Sequence, residues 1–388
     1  MAEGEKADFL HLHHFASGGA AYLAHGLGFA NSGRVSGLPC GSGKPPAPAY
    51  MNDMKFSVLD QSPIRTNILP DQAIRESIAL ARACEGFGYH RYWLSEHHSS
   101  GAVAGSAPEV LAAAIASQTS RIRVGAAGIM LPHYSALKVA EQFRVLEAIA
   151  PGRIDLGLGR APGSDGRTAL ALNPNARQAA DMFPAQVRDV AAWVSGQALP
   201  VDHPFRAVTC EPRGPNAPEI WILGSSTYGA QLAAWFGLPY AFAYFFSDGA
   251  GAEEALHAYH SQFKQPGPEA PPRRAAATVF ALAAETEEEA QYWAKSRGAF
   301  WAMRNRGVYI PLPSPEEADQ MGFSEAEQAQ MQISLSRNFI GTPAQVAERL
   351  HKLGRDLQLD EIAITTAVYD PAVRTKSYQL LAREFGLA

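Results

Sequence analysis

The chain has 388 residues, 47% hydrophobic, 18% charged and 10% aromatic, with a formal net charge of −5, an ordinary soluble globular composition with room for one large α/β domain or two smaller ones. The interspersed charges form no basic face for nucleic acid, and no apolar run approaches the ~20 residues needed to cross a bilayer. Cys40, Cys84 and Cys210 lie far apart with no C-x-x-C pair, which argues against a disulfide scaffold or zinc site and fits a cytoplasmic protein.

Residues 1–53 carry Gly18-Gly19, Gly41-Ser42-Gly43 and Pro45-Pro46-Ala47-Pro48 with little periodicity. Such composition buries little, so a flexible or expression-derived extension is expected there. His11, His13 and His14 have no acidic or cysteine partner at ligand spacing, so no metal is expected. The acidic start, with no long apolar core behind it, does not read as a signal peptide. Orderly patterning begins at Met54-Lys55-Phe56, and residues 54–388 are read as a single domain.

From there β-rich runs alternate with amphipathic stretches. Residues 56–60 form the first strand, and 70–87 a helix that opens at Pro70-Asp71 and closes at Gly86-Phe87-Gly88. Strands follow at 91–95, 122–131 and 154–158, with helices at 108–119 and 135–149. A looser helical region spans 173–195. Strand five is 219–223, then come a helix at 227–236, strand six at 240–245, a helix at 251–263 and strand seven at 278–284. A helix at 286–303 leads into a partly helical excursion at 304–335. Residues 342–353 and 361–366 supply the eighth helix and strand, and a last helix follows Pro371. Eight strands interleaved with helices predict an α/β fold, a (β/α)8 TIM barrel with an insertion between strand seven and helix eight. A doubly wound sheet would favour a glycine-rich loop directly after strand one, and none is present.

Reactive groups of such barrels lie at the C-terminal ends of the strands. Strand two ends in Glu96-His97-His98. If alternation persists, His97 shares a face with Trp93 and Ser95, while Glu96 and His98 share the other. An imidazole titrating near neutrality can serve as acid or base; equally, a buried histidine pair can simply fix the loop. Gly125-Ala126-Ala127-Gly128 is small enough to admit a flat ring against the backbone, or to pack two strands closely. The loop Gly224–Gly229 offers Ser225, Ser226 and Thr227 hydroxyls at a helix start, which suits a phosphate beside Arg160 or a plain N-cap. Gly157-Leu158-Gly159-Arg160-Ala161-Pro162 mimics a dinucleotide fingerprint but has proline for the third glycine and no helix starting there.

Taken together, the motifs resemble the bacterial-luciferase-like flavin monooxygenase family. The resemblance rests on Met54-Lys55-Phe56, Tyr92 to His98, Gly125 to Pro132, Lys138 to Arg153 and Asp155 to Arg160, in order over about residues 54–165. It is weaker beyond, at Gly224–Gly229 and Phe339-Ile340-Gly341-Thr342-Pro343. By position it implies that His97 is the catalytic histidine and that Ala127-Gly128 forms a non-proline cis peptide beneath a flavin ring. It also implies that Arg160 with Gly224, Ser225, Ser226, Tyr228 and Gly229 holds the FMN phosphate. Glu141 and Arg153 read as a structural polar pair. The implied activity is a monooxygenase using O2 and FMNH2 from a separate flavin reductase on a small organic substrate, as a homodimer. Hydride transfer with F420, or a non-catalytic flavin-binding barrel, are the rival expectations. Gly159 stands where light-emitting subunits have cysteine, so no light emission is implied.

Overall fold

The alternation of strand and helix begins at β1 (Lys55–Asp60) and runs through α1 (Asp71–Gly86), β2 (Arg91–Leu94), α2 (Pro108–Ala116), β3 (Arg123–Met130), α3 (Ala136–Ile149) and β4 (Ile154–Gly159). The computed structural model describes residues 54–267 and 270–387; the extension expected at 1–53, with its histidines and Cys40, lies outside them. After β4 come α4 (Gly166–Leu172), α5 (Ala176–Asp181), α6 (Phe183–Ser195), β5 (Glu219–Gly224), α7 (Thr227–Phe236), β6 (Tyr240–Phe242), α8 (Ala252–Gln262) and β7 (Ala275–Ala283). The chain ends with α9 (Glu287–Asn305), α10 (Pro315–Gln320), α11 (Glu325–Arg337), β8 (Phe339–Gly341), α12 (Pro343–Asp356), β9 (Glu361–Thr365) and α13 (Pro371–Glu384).

Parallel pairing runs β6-β5-β4-β3-β2-β1-β9-β7, and β6 pairs with β7 to close the ring. Eight parallel strands closed in this way form the predicted TIM barrel. β8 stands outside the ring and extends β7, with Leu282 opposite Ile340; three residues are too few to carry a strand periodicity in the sequence. The insertion is more regular than predicted. Ser314 with Glu317, and Ser324 with Glu327, form capping boxes that start α10 and α11. Before α10 the chain reaches back to the loop after β1, where Leu312 N–H donates to the Ile64 carbonyl at 2.7 Å. The looser region at 173–195 resolves into α5 and α6, preceded by α4, whose first turn Asp165 caps. Among the described residues no helix is long and apolar enough to cross a membrane.

The barrel is plugged from below by charge. Arg91, only 1% exposed, gives Nε to both oxygens of Glu361 at 2.8 and 2.9 Å, and Nη1 to Asp155 at 2.9 Å and Glu219 at 2.7 Å. Arg123 also pairs with Asp155, and Arg274 with Glu219. Above this plate, Trp93 and Trp221 donate their indole N–H groups to Asp155 and Glu219, each at 3.0 Å, and meet edge to face with ring centroids 5.1 Å apart. Leu59, Ala241, Ala276 and Ala363 complete that apolar layer. The mouth above it is therefore a closed-bottomed cup.

Candidate active site

The hydrogen-bonded ladder of β2 stops at Leu94, but side-chain alternation continues past it. Ser95 Oγ lies 3.2 Å from His97 Nδ1, and Glu96 Oε1 lies 2.6 Å from His98 Nε2. These two i,i+2 pairs are the arrangement a period of two demands. Glu96 is fully buried and also accepts from Met130 N–H at 2.9 Å and Tyr134 O–H at 2.7 Å. It thereby ties the ends of β2 and β3 to His98, leaving His97 as the separate member. Among the described residues His97 Nε2 has no hydrogen-bond partner.

The imidazole of His97 does not titrate near neutrality, as a free histidine would. Burial, followed by the charges of His98 and Arg304, pushes its pKa down to about 4, so at neutral pH the ring is uncharged, with one acceptor nitrogen. A cavity of about 500 Å3 lies against it, lined by Ile64, Ile74, Ser99, Gly101, Val103 and Ser106 among others. None of Ala127, Gly128, Arg160 or Ser226 lines that cavity, so it occupies the β1–β2 side of the mouth. A cavity of about 530 Å3 sits at the barrel's opposite end, beside Lys55, Glu85 and Arg121, and none of the predicted catalytic or cofactor-binding residues lines it.

Small residues draw β3 against β4. A Cβ on Gly125 would lie 2.7 Å from the Asp155 carbonyl carbon, and one on Gly128 would lie 2.8 Å from the Gly157 carbonyl oxygen. The Ala127–Gly128 peptide is cis, and the β3–β4 register shifts between Ala126 and Ile129. Close strand packing and a cis peptide thus occur in one segment.

Across the mouth, β5 turns into α7 at Gly224 to Ser226. Gly224 and Gly229 cross so closely that a Cβ on Gly229 would lie 3.4 Å from the Gly224 Cα. Ser226 occupies the N-cap position in extended conformation, yet its hydroxyl makes no capping bond, and Ser225 and Ser226 are exposed. The first N–H groups of α7 are therefore open to an anion. The Arg160 guanidinium lies 4.0 Å over the Tyr228 ring, in the first turn of that helix, and among the described residues meets no carboxylate. The structure brings Arg160, Tyr228, Gly224 and Gly229 together, with Ala127 and Gly128 beside Leu223 and Gly157 between the two ends.

One sequence expectation is corrected. Glu141 and Arg153 do not pair: Glu141 lies 3.6 Å from Lys138, while Arg153 donates to the carbonyls of Ala116, Thr119 and Ile122. Arg153 is structural because it closes the C-terminal end of α2, where unpaired carbonyls attract a cation. Sequence reasoning also missed Tyr134, whose hydroxyl secures Glu96, and Arg304, which acts on His97 from α9. Neither carries a local motif. Among the described residues no group of three or more His, Cys, Asp or Glu could hold a metal ion.

Comparison with known proteins gives a consistent assignment. A family described as luciferase-like monooxygenase matches residues 54–360. YwcH of Bacillus subtilis is 41% identical over 333 residues, covering 86% of this chain and 99% of its own. The N-acetyl-S-alkylcysteine monooxygenase of Bacillus subtilis is 35% identical, covering 85% of this chain and 96% of its own. The crystal structure of apo-MsnO8 matches with a TM-score of 0.78 and 34% identity, over 87% of this chain and 99% of that one.

Proposed function

The chain belongs to the luciferase-like monooxygenase family, and from that premise we propose that it uses reduced FMN and O2 to oxygenate a small organic substrate. The observation that carries this reading is the uncapped α7 N-terminus beside the carboxylate-free Arg160. Open backbone N–H groups and a forked cation suit a phosphate monoester, and the cis peptide at Ala127-Gly128 lies against β4 and β5 on the way to that loop. In this reading Arg160, Ser225, Ser226 and Tyr228 hold the phosphate, and Gly224 and Gly229 shape the loop that presents it. Bound flavin supplies the electron transfer and the reaction with dioxygen.

The chain's own contribution is placement and proton control. His97 keeps a neutral ring, with Ser95 at Nδ1 and Nε2 unclaimed, so Nε2 can hold or take a proton from a group in the mouth. Tyr134, Glu96 and His98 hold the loop that carries it. The charged plate and tryptophan pair seal the bottom against water. This reading also includes a cytoplasmic homodimer served transiently by a flavin reductase; the solution mass of the purified chain checks the dimer.

Anaerobic titration with photoreduced FMN, followed by flavin fluorescence, tests cofactor binding. N-acetyl-S-alkylcysteines, taken from the name of the Bacillus subtilis relative, are the first substrates to offer, with isotopically labelled O2 and mass detection of product. Binding at micromolar concentrations and label incorporation are expected. Tighter binding of F420 than FMN would replace oxygenation with hydride transfer, and binding without turnover on any substrate would favour a flavin-binding role.

A further inference from the structure

The C-terminal half of α9 presents Arg297, Trp301 and Arg304, spaced i, i+4 and i+7 on one helical face. Arg304 Cζ lies 4.1 Å over the Trp301 ring and 4.4 Å over Phe246, in the turn after β6. Arg297 Cζ lies 3.8 Å over Phe280 of β7 and 5.3 Å over Trp301. Arg297 is only 5% exposed, and its one strong hydrogen bond goes to the neutral Asn338 side chain at 3.1 Å. Its Nε and the Trp301 Nε1 are buried without any partner. The acid that acts on it, Asp248, is taken up by Ser334 at 2.8 Å and Asn338 at 3.3 Å. Among the described residues neither arginine has a carboxylate within 4 Å.

Two like charges on one helix face repel, and burying a guanidinium without a counter-charge costs more than cation–π contacts return. Each buried arginine at the lower end of the barrel meets carboxylates directly. The cluster on α9 instead offers two forked cations and an idle indole N–H with no acceptor. Arg304 packs on Phe246, which follows the C-terminal end of β6, so its charge lies on the mouth side of the barrel.

Resting on the monooxygenase reading, we infer that Arg297, Trp301 and Arg304 bind the carboxylate of the substrate, so that this enzyme acts on small organic acids rather than neutral molecules. A planar carboxylate accepts two N–H bonds from a guanidinium fork and a third from the indole. The aromatic rings around the arginines exclude the water that would otherwise screen the pair.

The test uses the full chain without flavin, so its outcome is separate from that of the FMN titration. Binding of N-acetyl-S-methylcysteine and of its primary carboxamide is followed by tryptophan fluorescence. The acid is expected to bind about tenfold tighter or more, the scale of one charge-assisted hydrogen bond. Arg304→Gln should remove that preference and Arg304→Lys should restore part of it, while Arg160→Met should weaken FMN and leave the preference intact. The Arg304 side chain makes no hydrogen bond among the described residues, and circular dichroism checks that its variants fold. Equal binding of acid and amide, no binding of the acid at millimolar concentration, or a preference that survives Arg304→Gln overturns the inference. So does a loss of FMN binding in Arg304→Gln with the acid preference unchanged, which would give the cluster to the flavin phosphate.

Discussion

Replacing Arg91 with methionine tests whether the charged plate supports the cup above it. Three cations, Arg91, Arg123 and Arg274, there face three carboxylates, Asp155, Glu219 and Glu361. After Arg91→Met, Asp155 still has Arg123 and the Trp93 indole, and Glu219 still has Arg274 and the Trp221 indole. Glu361, 2% exposed, keeps only the Ser57 hydroxyl. Losing one partner of a buried ion pair costs about 3–5 kcal/mol, so the variant should fall near that range at neutral pH. Burial raises the Glu361 pKa even beside Arg91, and removing the guanidinium raises it further.

A carboxyl whose folded-state pKa exceeds its unfolded value adds stability in acid and loses it as pH rises through the folded-state value. The deficit of Arg91→Met against wild type should therefore shrink toward about pH 5 and grow toward about pH 8, as Glu361 (unfolded pKa roughly 4.3) is forced to ionise. Urea unfolding of both proteins at the two pH values measures it. Adding Glu361→Gln to Arg91→Met should recover most of the loss, because the plate is again balanced. A deficit under about 1 kcal/mol, or one unchanged between the two pH values, would refute the reasoning.

Three further outcomes follow from single contacts. With burial holding the His97 imidazole at about 4, kcat/KM should stay flat from about pH 6 to 8 and fall only as the ring protonates in stronger acid; His97→Ala should lose roughly 10²–10⁴ in turnover while still binding FMN. An inflection near pH 6.5 that disappears in His97→Ala would contradict the neutral ring. Tyr134→Phe deletes one of three donors to Glu96 and should lower stability by about 1–2 kcal/mol, read from the unfolding midpoint. Gly157→Ala pushes a Cβ into the Ala126 carbonyl oxygen and to 3.0 Å from Leu223 Cδ1 and 3.1 Å from the Ala127 Cα, at a cost of ~1–3 kcal/mol or more with weaker FMN binding. Gly166→Ala, where nothing lies within 4 Å, should change neither and serves as its control.

Legibility in the sequence followed the length scale of the signal. Strand–helix alternation repeats many times, so the barrel could be read, and the predicted helix at 227–236 coincides with α7. β8 could not, because three residues have no period. The split between His97 and His98 was readable since it needs only alternation over four residues. The titration of His97 was not, because burial and Arg304 on α9 set it through the fold. The Glu141 and Arg153 pair fails for the same reason: a resemblance by position does not say which carbonyls a helix end leaves open to Arg153.

Arginine shows most sharply where sequence stops and structure takes over. At the lower end, Arg91, Arg123 and Arg274 are matched by carboxylates from neighbouring strands, one charge for one, and the set is closed. At the mouth, Arg160, Arg297 and Arg304 rest on Tyr228, Phe280, Phe246 and Trp301. Rings can orient a guanidinium but carry no counter-charge. A fold that pairs its cations so fully at one end and leaves three at the other to aromatic faces has built one end for stability. On the proposed reading the other end receives negative charge, its two groups of arginines taking two anions, a flavin phosphate at α7 and a substrate carboxylate at α9.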